Sequence, residues 1–359
     1  MHIDLVVLNY NGRRLMADCL PSVLRAAEAS RHCCAVTVVD NDSYDESLVW
    51  LREHYPQVAV IQMPNEGLCS FNAALARLDG EVAILLNNDV RLAHDCVDPW
   101  VEPFVHEYVA DQRPCFMTAP RCDGTDGRGY EGFKTAVQWR WGLVQATALF
   151  AGHESGIEQP DWTASAGAAL AVRRRTFLAL GGFDPRYLPG RLEDLDFAFR
   201  GYQAGYCARY VPEALVYHLG MGTFGPVFGQ AGCDALALRN TLLFQWKNLR
   251  CPMHLGRQLT GLALRLAADV VRAPWTAGPR RWATFRALGQ AARQAWRHRH
   301  ARRPAPVASL RREREFFHRF HPAHLQKLAR AHVAQQSART PGTPAPASGR
   351  ARQHAGALH

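Results

Sequence analysis

The sequence predicts an α/β protein whose first part builds a mixed sheet with flanking helices, followed by a helical extension and a basic tail. Three observations carry this prediction. Four short apolar runs alternate with helical segments in the first ninety residues. Each of those runs stops in a cluster of Asn, Asp, Ser or Gly. Beyond Asp234 the apolar spacing changes to steps of three and four.

The first run, Ile3–Leu8, ends in Asn-Tyr-Asn-Gly and is followed by a helical stretch from Arg14 to Ser30. The second, Ala35–Val39, ends in Asp-Asn-Asp-Ser before helical residues near Ser47–His54. The third, Val58–Met63, ends in Pro-Asn-Glu-Gly before a helix near Ser70–Leu78, and the fourth, Val82–Leu86, ends in Asn-Asn-Asp. Such alternation is the mark of βαβ crossovers, in which ligands bind beyond the carboxyl ends of the strands. Polar residues are common wherever strands stop, so one such end means little; four opening onto one edge mean more. From about Pro114 to His218 the pattern is less regular, with Trp139, Trp141 and Trp162, a small-residue stretch at Ser165–Ala169, and the runs Gly181–Pro185 and Arg191–Phe197. In the extension, Leu255, Leu259, Leu262, Leu266 and Val270 form a helical stripe. It fits either a packed helix or, with Trp275, Trp282, Trp296 and their neighbouring arginines, a helix lying on an anionic membrane. These changes divide the chain into residues 1–250, a basic helical extension over 251–332, and a tail over 333–359 whose Ala, Pro, Gly, Ser, Gln and Arg predict disorder.

A hydrophobic fraction of 48% in 359 residues supports a sizeable core. The net charge of +10 is unevenly placed: from Arg297 onward there are thirteen Lys/Arg against two Asp/Glu, and before it 29 against 30. A body without excess positive charge argues against a nucleic-acid groove and for a separate electrostatic attachment. None of the ten cysteines has a C-x-x-C neighbour, which favours reduced thiols. The amino terminus enters a strand-like run without a basic leader, and no stretch of about twenty apolar residues occurs, so a cytoplasmic protein is expected.

Three clusters carry candidate chemistry. Asn87-Asn88-Asp89 ends the fourth run, where a carboxylate can hold Mg²⁺ or Mn²⁺ and so a diphosphate; an Asx turn is the bland alternative. Glu193-Asp194-Leu195-Asp196 sets three carboxylates among Leu192, Phe197 and Phe199, and a carboxylate near a bound sugar can take a proton from an attacking hydroxyl. A solvated helix start is the alternative there. His218 closes an apolar run, and as a metal ligand it acquires meaning only beside Asp89.

The ordered set VVLNYNG (6–12), VVDNDSYDES (38–47), NEGLCSFNAAL (65–75), LLNNDV (85–90), AGAALAVRR (166–174), GGFDP (181–185), EDLDFAFR (193–200) and His218 resembles the inverting family 2 glycosyltransferases, and among them the bacterial rhamnosyltransferase-like members. The resemblance covers about residues 3–250. It implies a GT-A fold, a nucleotide-diphosphate sugar donor such as a UDP- or dTDP-sugar, and a glycan or polyprenyl-linked acceptor. Carried over by position, Asn9 and Asn11 line the nucleotide pocket, Asp40 and Ser43 read base and ribose, and Asn65 and Asn72 close over the nucleotide. Asn87 takes the first position of the D-x-D motif, with Asn88 beside it and the metal-binding Asp89 last. Asp194 takes the general base, with Glu193 beside it, and His218 completes the metal shell. Asn87 in place of Asp leaves Asp89 as the only carboxylate of that motif. A dinucleotide-dependent oxidoreductase is disfavoured by the absence of G-x-G-x-x-G after the first run. A nucleotidyltransferase-like or merely nucleotide-sugar-binding protein of the same fold is the alternative.

Overall fold

The computed structural model describes residues 1–106, 109–110, 113–125, 129–219, 224–278, 281–299 and 309–339. The four predicted runs are strands β1 (His2–Asn9), β2 (Cys33–Asp40), β3 (Ala59–Gln62) and β4 (Val82–Asn87), alternating with α1 (Arg13–Ala29), α2 (Ser47–His54) and α3 (Ser70–Arg77). There follow β5 (Val90–Leu92), α4 (Val97–Val105), β6 (Val109–Ala110), β7 (Arg113–Gly124), β8 (Tyr130–Gly132), β9 (Ala136–Arg140), β10 (Leu143–Thr147), β11 (Asp161–Trp162), β12 (Ala169–Arg173), α5 (Arg174–Ala179), α6 (Glu193–Ala204) and β13 (Cys207–His218). The chain continues as α7 (Phe224–Asn248), α8 (Pro252–Arg272), α9 (Ala283–Arg297), α10 (Leu310–Arg319) and α11 (Pro322–Arg339).

β1 pairs in parallel with β2 and β4, and β2 with β3. The register sets Asn9 opposite Asp40 and Leu8 opposite Asn87, which brings the polar strand ends to one edge. Ile3, Leu5, Val6 and Val7 are buried on both faces of β1 because helices cover both sides. The sheet becomes mixed beyond β4: β12 runs antiparallel to both β4 and β7, and β13 parallel to β7. The main path of the sheet is β11-β13-β7-β12-β4-β1-β2-β3, with β5 paired to β13 and β6 and β8 to β7. β12 delivers the Ser165–Ala168 loop beside the end of β4, where the Asn87 N–H donates to the Ala168 carbonyl (3.1 Å). β13 delivers His218 to the same edge, opposite Val90.

The carboxyl-terminal helices are built into this body. Phe316 of α10 packs edge-on against Phe199 and Tyr202 of α6, and Phe320 against Tyr202. Glu313 accepts the N–H groups of Arg250 and Cys251 and meets His254 Nδ1 at 2.7 Å, so α10 closes the amino end of α8. α11 continues to Arg339, through the first seven residues of the segment expected to be disordered; residues 340–359 lie outside those described.

α8 meets the body chiefly through polar and small residues rather than through its whole apolar stripe. Its inward line is His254, Gln258 and Gly261. Arg265 on the same side donates Nε–H to the Trp141 carbonyl at 2.9 Å. Gly261 rests on the turn between β9 and β10 so closely that a Cβ there would come within 2.2 Å of Gly142 Cα. The apolar stripe is split: Leu262 packs against the core and Leu266 is half-buried, whereas Leu259 (67%), Val270 and Val271 are exposed, as are Trp275 just beyond the helix (83%) and Trp141 beside it.

Candidate active site

At the carboxyl edge of β1, β2 and β4 lies a cleft of about 920 Å³. Its floor begins with Asn9, which is fully buried. Asn9 Nδ2 donates to Asp40 Oδ1 and to Ser43 Oγ, each at 3.1 Å, and its Oδ1 accepts from Asn88 Nδ2 at 3.0 Å. Asn11, in the left-handed region at φ 46°, accepts the Tyr44 N–H at 2.9 Å and donates its own N–H to Ser43 Oγ at 3.0 Å. Asn9, Asn11, Asp40, Ser43 and Asn88 thus tie three strand ends together, mostly by bonds to one another. Of these five, only Asn88 also lines the cleft; the wall there is formed by Leu8, Tyr10, Asn41 and Asn87. Gly12 is required by this network, since a Cβ at that position would lie 1.9 Å from Asn88 Nδ2. Asn65 lines the cleft, whereas Asn72 bridges the N–H and C=O of Phe183 at 2.8 and 2.9 Å and is not among the lining residues.

Asp89 follows β4 and is 5% exposed. Its Oδ1 is buried with no hydrogen-bond partner among the described residues, and its Oδ2 lies 3.4 Å from His218 Nε2. A buried carboxylate oxygen left unmatched is costly and calls for a partner. His218 Nδ1 lies 3.4 Å from Glu131 Oε2. A carboxylate on the far nitrogen orients an imidazole for a metal on the near one. Burial opposes the imidazolium, but the Asp89 hydrogen bond and charge, helped by Glu131, outweigh it and raise the His218 pKa. An oxygen and a nitrogen donor with an orphaned carboxylate oxygen fit a divalent cation.

The three carboxylates at the start of α6 have three different environments. Asp194 lines the cleft; its Oδ2 accepts from the Gly167 N–H at 2.9 Å and from Ser165 Oγ. Glu193 also lines the cleft but is buried, and its Oε2 has no partner among the described residues. Burial, with the neighbouring Asp194 charge, pushes its pKa up to about 8, so at neutral pH it holds a proton. Asp196 points into the core. Burial works against its charge, yet Lys247 (2.8 Å) and Arg200 (2.8 Å) outweigh that and hold the carboxyl well below the usual range.

Two non-glycine residues, Arg191 (φ 81°) and Leu192 (φ 67°), occupy the left-handed region just before Glu193, a conformation that persists only when neighbours enforce it. Asn240 enforces it here: its Nδ2 donates to the carbonyls of Tyr187, Gly190 and Arg191 at 2.7–2.9 Å. Beside it, Arg239 donates to the Leu188 carbonyl at 2.6 Å. With Val227 and Phe228 of α7 and Gln294 and Arg297 of α9, Arg239 lines the far side of the cleft. Sequence reading had missed Tyr10, Asn41, Glu131, Arg239, Asn240 and Arg297. The one signal available was the polar pair Arg239-Asn240 interrupting the apolar run Leu236–Leu243.

The sheet order and the cleft at its carboxyl edge are those of the GT-A fold. Residues 4–141 match the family model described as Glycosyl transferase family 2. A curated relative is the "Putative polypeptide N-acetylgalactosaminyltransferase 10" of Drosophila melanogaster, 26% identical over 198 residues, which are 52% of this chain and 30% of that protein. The chain therefore spans under a third of that relative's length. Among solved structures, GalNAc-T7 with UDP, GalNAc and Mn²⁺ is similar at TM-score 0.50 and 20% identity, over 68% of this chain and 48% of that one. S. aureus TarS 1–349 is similar at TM-score 0.50 and 14% identity, over 94% and 92%. At these identities the structural likeness shows the fold.

Proposed function

We propose that the protein is an inverting glycosyltransferase that moves a hexose such as rhamnose from a UDP- or dTDP-linked donor to a glycan or polyprenyl-linked acceptor in cell-surface polysaccharide synthesis. The observation that carries this reading is that Asp89, His218 and Asp194, 129 residues apart along the chain, line one cleft at the ends of the strands. Family 2 similarity over residues 4–141, and relatives whose structures hold UDP, GalNAc and Mn²⁺, support the donor class.

In this reading Asp89 and His218 would hold a divalent cation, Mg²⁺ or Mn²⁺, which supplies positive charge against the departing diphosphate. Asn87, Asn88 and Asn65 bind the nucleotide sugar, while Asn9, Asn11, Asp40 and Ser43 hold the strand ends in register beneath it; Asn72 anchors the segment that covers it. Asp194 takes the proton of the acceptor hydroxyl as its oxygen attacks the anomeric carbon. Ser165 and the Gly167 N–H orient its carboxylate by one oxygen, and the other is kept for the proton. Glu193, neutral at pH 7, donates a hydrogen bond into the cleft without adding a second negative charge beside Asp194.

No helix among the described residues is long and apolar enough to cross a membrane. The outward apolar face of α8 is the reason to place the protein peripherally on an anionic surface at the cytoplasmic side of the plasma membrane: residues 251–300 hold nine arginines and one acid, Asp269. Each basic residue near such a surface contributes about 1 kcal/mol. The deciding experiment is a transfer and hydrolysis screen over nucleotide sugars with wild type and Asp194→Asn. We expect one donor class to be turned over by the wild type, and loss of transfer with nucleotide binding retained in the variant. Near-normal turnover by Asp194→Asn would remove that residue from the role of base. No turnover of any donor would favour a binding protein.

A further inference from the structure

The cleft continues into a groove of about 400 Å³ between α7 and α9, with Phe228, Arg239, Gln294 and Arg297 common to both. The groove is lined by positions 232, 235, 236 and 239 on α7 and 290, 293, 294 and 297 on α9. Steps of three and four place each set on one side of its helix. The charge in it has one sign: Arg239, Arg293 and Arg297 line it, and among the described residues no Asp or Glu does. Arg239 is 9% exposed, and its guanidinium rests on neutral oxygens, the Leu188 carbonyl (2.6 Å) and Asn240 Oδ1 (2.9 Å). No ion pair to Arg239, Arg293 or Arg297 is found among the described residues. Burial alone pushes the Arg239 pKa below the usual arginine value. The other buried cations of this body are matched: Arg200 by Asp196, Lys134 by Asp161. A buried cation without a counter-ion is unfavourable unless an anion is delivered to it. Phe228 and Leu236 add an apolar wall to the same groove.

Building on the glycosyltransfer reading above, we propose that the α7–α9 groove is an acceptor subsite that binds a phosphate ester through Arg239, Arg293 and Arg297. Guanidinium forks match phosphate oxygens in pairs, and three of them on two helices suit an anion with several oxygens in different planes. Because the groove opens into the cleft, a phosphate held there leaves the rest of the acceptor to reach Asp194. The phosphate can belong to a lipid carrier or to a phosphate within a soluble glycan; the chemistry recognised is the same.

The test is calorimetric titration of the full chain, saturated with UDP and Mn²⁺, with farnesyl phosphate and separately with glycerol 1-phosphate, at low and high NaCl. We expect binding that weakens as salt rises, and a loss of about tenfold or more in Arg293→Gln/Arg297→Gln, with UDP affinity within twofold of wild type. Both arginines lie on the exposed side of α9, so their replacement spares the fold. Binding of both probes supports recognition of phosphate by itself; binding of farnesyl phosphate alone supports a lipid-borne phosphate. Failure of both probes, or equal affinity in the double variant, overturns the proposal. An equal loss of UDP affinity also overturns it, by assigning the arginines to the donor. If the wild type does not bind UDP, the donor reading fails by itself, and the same titrations without UDP still decide the groove.

Discussion

Asp89 and Glu193 illustrate how little a carboxylate's identity says about its state. Asp89 keeps one oxygen on His218 and one with no partner among the described residues, so its removal should act through the metal. Asp89→Ala is expected to weaken UDP binding in the presence of Mn²⁺ and to change it little in its absence; calorimetry with and without the ion checks this, and an unchanged metal effect would count against the site. Glu193 is raised from 4.5 to about 8 by burial. A carboxyl that is more basic in the folded than in the unfolded chain favours folding most below pH 4.5, and that contribution fades as pH climbs toward 8. The wild type should therefore lose stability across that window, by an amount on the order of a few kcal/mol. Glu193→Gln should flatten the profile in thermal melts recorded from pH 5 to 8.5; parallel profiles would show that the carboxyl is already ionised.

Among the elements, α7 and α8 do work that their hydrophobic patterns do not announce. Asn240 on α7 places three buried hydrogen bonds on the turn that presents Glu193 and Asp194. Asn240→Ala should cost roughly 2–3 kcal/mol in denaturant unfolding and lower transfer more than nucleotide affinity; a variant as stable as wild type would mean that the turn holds itself. α8 puts His254, Gln258 and Gly261 inward and Leu259 and Val271 outward, with exposed Trp275 just beyond its end. Leu259→Glu/Val271→Glu should reduce co-sedimentation with phosphatidylglycerol vesicles about tenfold or more while leaving the melting temperature unchanged. Equal sedimentation of variant and wild type would make the face something other than a lipid contact.

Across the whole molecule, the segment Asp184–Arg200 and the carboxyl-terminal helix α7 meet around a buried ionic junction. Lys247 of α7 joins Asp184 (2.7 Å) and Asp196 (2.8 Å), and Asp196 also pairs with Arg200. Lys247→Met removes the cation shared by two buried carboxylates, leaving Asp196 with Arg200 and Asp184 with Arg186 at 3.5 Å, and should destabilise the fold by about 3 kcal/mol, read as a shift in urea midpoint. α10 closes the same region, with Phe316 and Phe320 against α6. Ending the chain before residue 309 should expose that aromatic face and yield aggregated protein, and a soluble, cooperative truncation would show the helices to be an appendage after all.

How much of this was legible beforehand depends on the range over which a residue acts. The four parallel strands, their helices and the polar strand ends were legible because they follow from local periodicity and turn chemistry; β1, β2 and β4 match the predicted runs to within a residue or two. The cluster at Glu193–Asp196 was legible as a cluster, but its division into a cleft carboxylate, a neutral acid and a core ion pair was not, because burial and partners set those states. The α8 stripe showed its period but not its direction, since a helix carries the same moment whether its apolar side meets a core or a solvent. Asn9, Asp40 and Ser43 could be recognised by position, but only the three-dimensional arrangement revealed that they bond chiefly to one another. By itself the sequence determined the strands and helices of the first half, the family resemblance and the candidate residues for a metal and a base. The tertiary structure decided which of them share a cleft, which carry charge, and that Arg239 lines it with no counter-ion among the described residues, because these depend on contacts between segments far apart in the chain.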